Sequence, residues 1–219
     1  MPRANRVFIP GLVWHLTHRC HDKAFLLRFR KDRRRWRHWL FEATRRYGLS
    51  VLNFIVTSNH IHLLAYAQTR REIPRAMQLI ASRTAQEYNL RKNRCGAFWE
   101  DRYHATAVES NDHLLRCMTY IDLNMVRAGA VSHAADWDTS GYGEIQQPRQ
   151  RRVVIDLPRL HDLLGIDRID RLSDVLRSAA ESACHTSVRD PAWTEAAGIG
   201  SAGFVAGLSV AALHVGADE

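Results

Sequence analysis

His60 and His62 stand either side of one isoleucine in SNHIHLLAY (58–66), a run whose residue types favour a β-strand. Side chains at i and i+2 of a strand share a face, so the two imidazoles project together while Ile61, Leu63 and Ala65 point the other way. Two imidazoles on one face are a start to a metal site. A second cluster lies in TYIDLNMVRAG (119–129). On a helix over 111–128, Leu114, Met118, Ile121 and Met125 form an apolar stripe. Tyr120, Asn124 and Arg127 share a flank beside it, with His113 and Cys117 near. Two imidazoles and the Asn124 amide oxygen can hold a divalent ion with open positions for phosphate oxygens, and Tyr120, one turn away, can attack that phosphate. A phosphotyrosine keeps the bond energy for rejoining, so no nucleotide is needed, and no GxxxxGK[ST] phosphate loop occurs in the chain.

The elements that must position these groups can be read from periodicity and punctuation. LVWHLTHRC (12–20) is a strand after Pro10-Gly11. A helix runs from Asp32 to Tyr47 and closes at Gly48. LSVLNFIVT (49–57) and HIHLLAYA (60–67) are apolar strands joined at Ser58-Asn59. Pro74 to about Lys92 is helical, on the spacing of Met77, Ile80, Ala81, Thr84 and Tyr88. FWEDRYHATAVES (98–110) holds a fourth strand, and the helix over 111–128 follows, capped at Ser110 or Asn111 and stopped by Gly129. The order β-α-β-β-α-β and then a helix predicts an α+β fold with a ferredoxin-like antiparallel sheet. Three units are expected: a domain over 1–145, a linker over 146–152, and a helical C-terminal extension over 153–219, with helices at 157–164 and 169–183.

Charge is unevenly placed. Residues 1–50 carry 13 Lys and Arg against 3 acids, residues 51–150 carry 11 against 10, and residues 151–219 carry 7 against 10. The basic excess is densest in RFRKDRRRWRHW (28–39), which predicts a nucleic-acid face made by Arg28, Arg30, Lys31, Arg33, Arg34, Arg35 and Arg37, with Trp36 or Trp39 stacking on bases where exposed. Arg102 and Arg127 are further candidate DNA contacts. Cys20, Cys95, Cys117 and Cys184 show no CxxC spacing, which argues against a zinc ribbon or disulfide framework and fits a reducing cytoplasm. The first residues lack the apolar stretch of a secretory signal. Residues 196–216 hold no Lys, Arg, Asp or Glu, but Gly198, Gly200, Gly203, Gly207 and two serines keep them weakly apolar, so a packed helix is expected there rather than a membrane span.

Five blocks in order, MPR…PGLVWHLTHR, DRRRWRHWLFEATRRYGLSV, NHIHLLAY, FWEDRYHATAV and YIDLNMVRAGAV, resemble the transposases built on a His-hydrophobe-His motif and one nucleophilic tyrosine. Within them the chain looks most like the REP-associated tyrosine transposases, bacterial relatives of insertion-sequence enzymes, over roughly residues 1–145, and more weakly in AWTEAAGIGSAGF (192–204). The resemblance implies cleavage and rejoining of single-stranded DNA beside a hairpin through a 5′-phosphotyrosine on Tyr120. It implies a Mg²⁺ or Mn²⁺ ion on His60 and His62, completed by Asn124, and a cytoplasmic protein, monomeric or homodimeric, associated with the nucleoid when bound. Two departures stand out. Thr57-Ser58-Asn59 replaces the family's usual Met-Pro-Asn, and Asn124-Met125-Val126-Arg127 replaces Asn-Pro-Val-Arg, removing a helix kink or stop.

Rival readings stay open at this point. Tyr103 is a second candidate nucleophile on the fourth strand, with a half-buried sheet tyrosine as its plain reading. His15 and His18 read equally as structural or phosphate-binding, and Glu100 and Asp101 as outside candidates for the metal. A protein that binds hairpin DNA or RNA without cutting is the competing function. A zinc hydrolase is a weaker third, because no HExxH-type third ligand is present.

Overall fold

The computed structural model describes residues 8–148, 150–184 and 190–215. The chain forms an α+β fold around one five-stranded sheet. Its elements are β1 (Leu12–Arg19), α1 (Arg30–Tyr47), β2 (Ser50–Val56), β3 (His60–Ala67), α2 (Glu72–Lys92), β4 (His104–Val108), α3 (Asp112–Asp122) and α4 (Asn124–Arg127), followed by α5 (Tyr142–Gln146), α6 (Leu157–Leu164), α7 (Leu172–Cys184), α8 (Ala192–Glu195), β5 (Gly198–Ile199) and α9 (Ala202–Val215). The strand order is β2-β3-β1-β4-β5; the first four are antiparallel to their neighbours and β5 runs parallel to β4.

The alternation of β2 decides which helix covers which face. Phe54 meets Trp36 of α1 at 6.1 Å between ring centroids, while the neighbouring Asn53 donates from Nδ2 to Asp122 Oδ1 of α3 at 2.9 Å. Because successive strand residues point to opposite faces, α1 and its partner α2 lie on one side of the sheet and α3 on the other. The helix α1 buries Trp36, Leu40 and Ala43 at three- and four-residue spacing and closes at Gly48 in the left-handed region, φ +68°. In α2, Pro74 falls in the first turn, where its missing N–H costs nothing, so the helix begins ahead of it at Glu72.

Three expectations change. The helix expected over 111–128 is broken at Leu123, where ψ is 2°, giving α3 and α4. The chain therefore bends there without the proline. The fourth strand is shorter than the run 98–110, and Tyr103 precedes it. Residues after 152 return at once to the main body: Ile155 bridges Val51, and the backbone N–H groups of Val154 and Ile155 donate to the buried Glu144 Oε1 at 2.5 and 2.8 Å. Trp193 joins the same core, and β5, which no periodicity announces, extends the sheet. Among the described residues no helix is long and apolar enough to cross a membrane.

Candidate active site

The register of β1 against β3 sets Thr17 opposite His62 and His15 opposite Leu64, so His15, Thr17, His60 and His62 share the face covered by α3. His15 is fully buried. Its Nδ1 lies 2.9 Å from the Trp193 carbonyl oxygen and its Nε2 lies 2.9 Å from His62 Nδ1, with the two rings stacked 5.0 Å apart. His62 Nε2 lies 3.1 Å from Asn124 Nδ2. His60 is half-buried, its Nδ1 2.8 Å from Asn59 Oδ1 and 2.9 Å from Thr57 Oγ1. Thr57, one of the departures from the family pattern, donates to the His60 carbonyl and accepts from its N–H, so it shapes the turn as well as holding the ring.

Tyr120 enters from α3 and is almost fully buried. Its ring stacks on Trp193 at 5.8 Å and meets the edge of His62 at 5.7 Å. The Arg127 guanidinium lies 4.4 Å above the Tyr120 ring centroid and donates from Nη2 to the Tyr120 carbonyl at 2.5 Å. The bend at Leu123 brings Asn124 and Arg127 back toward Tyr120 and His62. A cavity of about 680 Å³ opens between them, lined by His60, His62, Tyr120, Asn124 and Arg127 together with Arg19, Lys23, His104, Thr194 and Glu195. The sequence motifs at His60, His62, Tyr120, Asn124 and Arg127 thus converge on one place.

Electrostatics favour neutral rings. Burial, reinforced by His60, His15, Arg127 and Arg19, holds His62 well below the ordinary 6.5. Burial likewise brings His15 to about 4, against the raising effect of the Trp193 carbonyl. Burial also lowers Arg127, with Tyr120 opposing. Among the described residues no group of three His, Cys, Asp or Glu side chains could hold a metal ion. Of the donors that line the cavity, His60, His62 and Asn124 form a set with room for oxygen ligands from elsewhere.

The basic helix lands differently from its sequence reading. Trp36 is 0% exposed and is core, not a stacking surface. Arg33 is buried, donating to the carbonyls of Leu27 and Arg28, with its guanidinium 4.3 Å from the Trp137 ring. Arg35 forms a fork with Glu87 at 2.6 and 2.7 Å, Arg37 pairs with Glu144 at 3.0 Å, and Arg30 pairs with Asp138. Arg28, Lys31 and Arg34 stay exposed, Arg34 within 3.9 Å of Asp138. Arg102 is exposed outside the cavity lining, and Glu100 and Asp101 do not line it either. Tyr103 packs near Phe8 and His18 away from the cavity. His18 stacks on Trp99 at 4.1 Å and reaches the Asp101 carbonyl at 2.7 Å, although it also borders the cavity.

Sequence reasoning missed several lining groups. Arg19 and His104 sit at strand ends and Lys23 in the short helical turn after β1, none with a motif of its own, and Glu195 comes from beyond the expected linker. It also missed Phe25 and Phe29, 66% and 57% exposed, which interleave with Lys23, Arg28 and Lys31. This segment borders the site: Asn59 Nδ2 donates to the Lys23 carbonyl at 3.0 Å and Leu27 N donates to the Ser58 carbonyl at 2.9 Å. Two phenylalanines four positions apart, set among Lys23, Arg28, Arg30 and Lys31, were a signal available in the sequence.

The family model of IS200-like transposases matches residues 9–124, more than half of the chain, from β1 through Asn124. Among solved structures the chain is similar to that of the REP-associated tyrosine transposase bound to a REP hairpin, with TM-score 0.54 and 18% identity, over 66% of this chain and 84% of that one. A candidate transposase from Deinococcus radiodurans is similar with TM-score 0.38 and 14% identity, over 59% of this chain and 98% of that one. No curated protein matches. At this identity the first likeness is one of fold, and it agrees with the mixed sheet-and-helix architecture described above. The match over β1 to Asn124 includes the histidine pair on β3 and Tyr120 on α3, and the chain belongs to the IS200-like transposase family.

Proposed function

We propose that the protein cuts and rejoins single-stranded DNA beside a hairpin, with Tyr120 as nucleophile. The observation that carries this reading is the convergence of Tyr120, His60, His62, Asn124 and Arg127 on one cavity. Tyr120 Oη attacks a backbone phosphorus, the bond from phosphorus to the 3′ oxygen breaks, and a 5′-phosphotyrosine and a 3′-OH result. Rejoining reverses the exchange on a second 3′-OH. Arg127, its guanidinium partly desolvated over Tyr120, places positive charge where the phosphate must sit. Arg19 and Lys23 line the same cavity and neutralise flanking phosphates.

The donor set fits Mg²⁺ or Mn²⁺, with His60, His62 and Asn124 as the residues that would hold it. Such an ion would supply Lewis-acid polarisation of the scissile phosphate. The single strand runs from the cavity past Lys23 onto Phe25 and Phe29, whose exposed rings stack on bases while Arg28 and Lys31 meet the backbone. A hairpin partner is supported by the similar structure, which is bound to a REP hairpin.

The test is incubation with 5′-labelled strands bearing a hairpin, in Mn²⁺. The expected product is a shortened strand with an extendable 3′-OH, with fully duplex DNA left uncut. Tight hairpin binding with no cut strand across the panel would make the protein a hairpin reader instead.

A further inference from the structure

The hydrogen bonds behind the two site histidines fix where their protons lie. The Trp193 carbonyl can only accept, so His15 Nδ1, 2.9 Å away, carries a proton. In a neutral ring His15 Nε2 is then an acceptor, and His62 Nδ1, 2.9 Å from it, must donate. His62 Nε2 is left with its lone pair, and Asn124 Nδ2 at 3.1 Å reads the same order from the other end. A parallel chain acts on His60. Asn59 Nδ2 donates to the Lys23 carbonyl, which turns Asn59 Oδ1 toward His60 Nδ1 at 2.8 Å, so this ring also carries its proton on Nδ1. Two main-chain carbonyls, from segments far apart in the sequence, thus set both imidazoles in one tautomer.

We propose that His15 and Asn59 are positioning residues, each binding the Nδ1–H of one site histidine so that both rings present an Nε2 lone pair as a ready metal donor. The proposal rests on the reading of the cavity as a metal-assisted nuclease site. His15 lies outside the cavity lining, and Asn59, at its edge, acts through His60 while its Nδ2 is held by the Lys23 carbonyl. A partner that holds the far nitrogen of a ligating histidine fixes its rotation and tautomer and raises its basicity, and loss of such a partner typically costs roughly 10–100-fold in metal affinity. Both rings are enclosed, His15 at 0% and His62 at 2% exposure, so neither partner is exchanged for water.

The direct test is long-range ¹H–¹⁵N spectroscopy of the metal-free full chain, paired with Mn²⁺ binding by calorimetry. In the wild type both His60 and His62 are expected with Nδ1 protonated and Nε2 bare. His15→Leu is expected to mix the His62 tautomers and weaken Mn²⁺ binding by roughly 10–100-fold. His15→Gln, which keeps an acceptor facing His62, is expected to recover most of that loss, which a role in packing alone would not produce. Finding His62 protonated on Nε2 in the wild type would overturn the proposal, and needs no variant to fold. A folded His15→Leu with the wild-type His62 tautomer and unchanged Mn²⁺ affinity would overturn it as well. Wild-type tautomers as expected but no Mn²⁺ binding would sink the metal-assisted reading of the site while supporting the hydrogen-bonded order itself.

Discussion

Asp122 and His15 are buried ionisable groups that pull stability in opposite directions. Burial raises Asp122 to about 7 from an ordinary 3.8, the Asn53 amide opposing, so the fold favours its protonated form. Its contribution is present at low pH and is lost as pH rises from about 4 to 7, roughly 4 kcal/mol at about 1.4 kcal/mol per unit. His15, at about 4 in the fold, does the reverse. Its neutral ring contributes above pH 6.5, and about 3 kcal/mol is lost as pH falls from 6.5 to 4. His62 acts in the same direction. Between pH 4 and 6.5 Asp122 offsets about one of the two histidines, so a rise of stability with pH remains. Asp122→Asn keeps an oxygen for Asn53 and removes one side of that balance. Urea denaturation of the metal-free variant across this window is expected to show stability climbing more steeply with pH than in the wild type; identical profiles would contradict the burial argument. At this scale the sequence was most legible where spacing is local. The i, i+2 histidines need only the period of a strand, whereas Tyr120 and Asn124 stand either side of the bend at Leu123 and not on the one helix their spacing suggests. His15 stands 47 residues from His62, and Trp193 stands 178 from His15, so only the folded register could bring them together.

The helix α1 shows what composition does and does not reveal about an element. An arginine-rich stretch with tryptophans reads as a nucleic-acid face, yet an amphipathic helix must also bury one stripe, and Trp36 lies on it. Several of its arginines meet Asp138, Glu87 and Glu144, acids 52 to 108 residues away that no local pattern could assign. Trp36→Ala is therefore expected to lower unfolding free energy by about 3–5 kcal/mol, read from urea denaturation, and to affect DNA binding only through that loss. Phe25→Ala and Phe29→Ala are expected to leave the melting temperature within a degree or two and to weaken single-strand binding by about 1–3 kcal/mol each. Fluorescence anisotropy with a labelled strand measures this, and unchanged affinity in both variants would remove the segment 23–31 from the strand's path. The bend at Leu123 makes a similar point. Helical periodicity continues through it, so the sequence offers one helix, while the tight link that sets Arg127 over Tyr120 appears only in three dimensions.

At the scale of the whole molecule, the C-terminal third is part of the site. Its Trp193 stacks on Tyr120, its carbonyl holds His15, and Thr194 and Glu195 line the cavity. A break in composition at 146–152 reads as a linker because polar residues cluster there, but buried Val154 and Ile155 return the chain to β2 within a few positions. The first four strands and the shared face of His60 and His62 were legible in alternation and punctuation; the closing of that face by a distant segment was not. What remains is whether the assembled cavity performs the chemistry its residues allow. The measurement is a denaturing gel of the full chain with labelled hairpin strands, in Mn²⁺ or chelator, comparing wild type with Tyr120→Phe. With strands labelled at the 3′ end, the expected result is a labelled protein–DNA adduct in wild type with Mn²⁺, absent with chelator and absent in Tyr120→Phe. An adduct that persists in Tyr120→Phe, or none in any lane despite hairpin binding, would contradict Tyr120 as the nucleophile of this site.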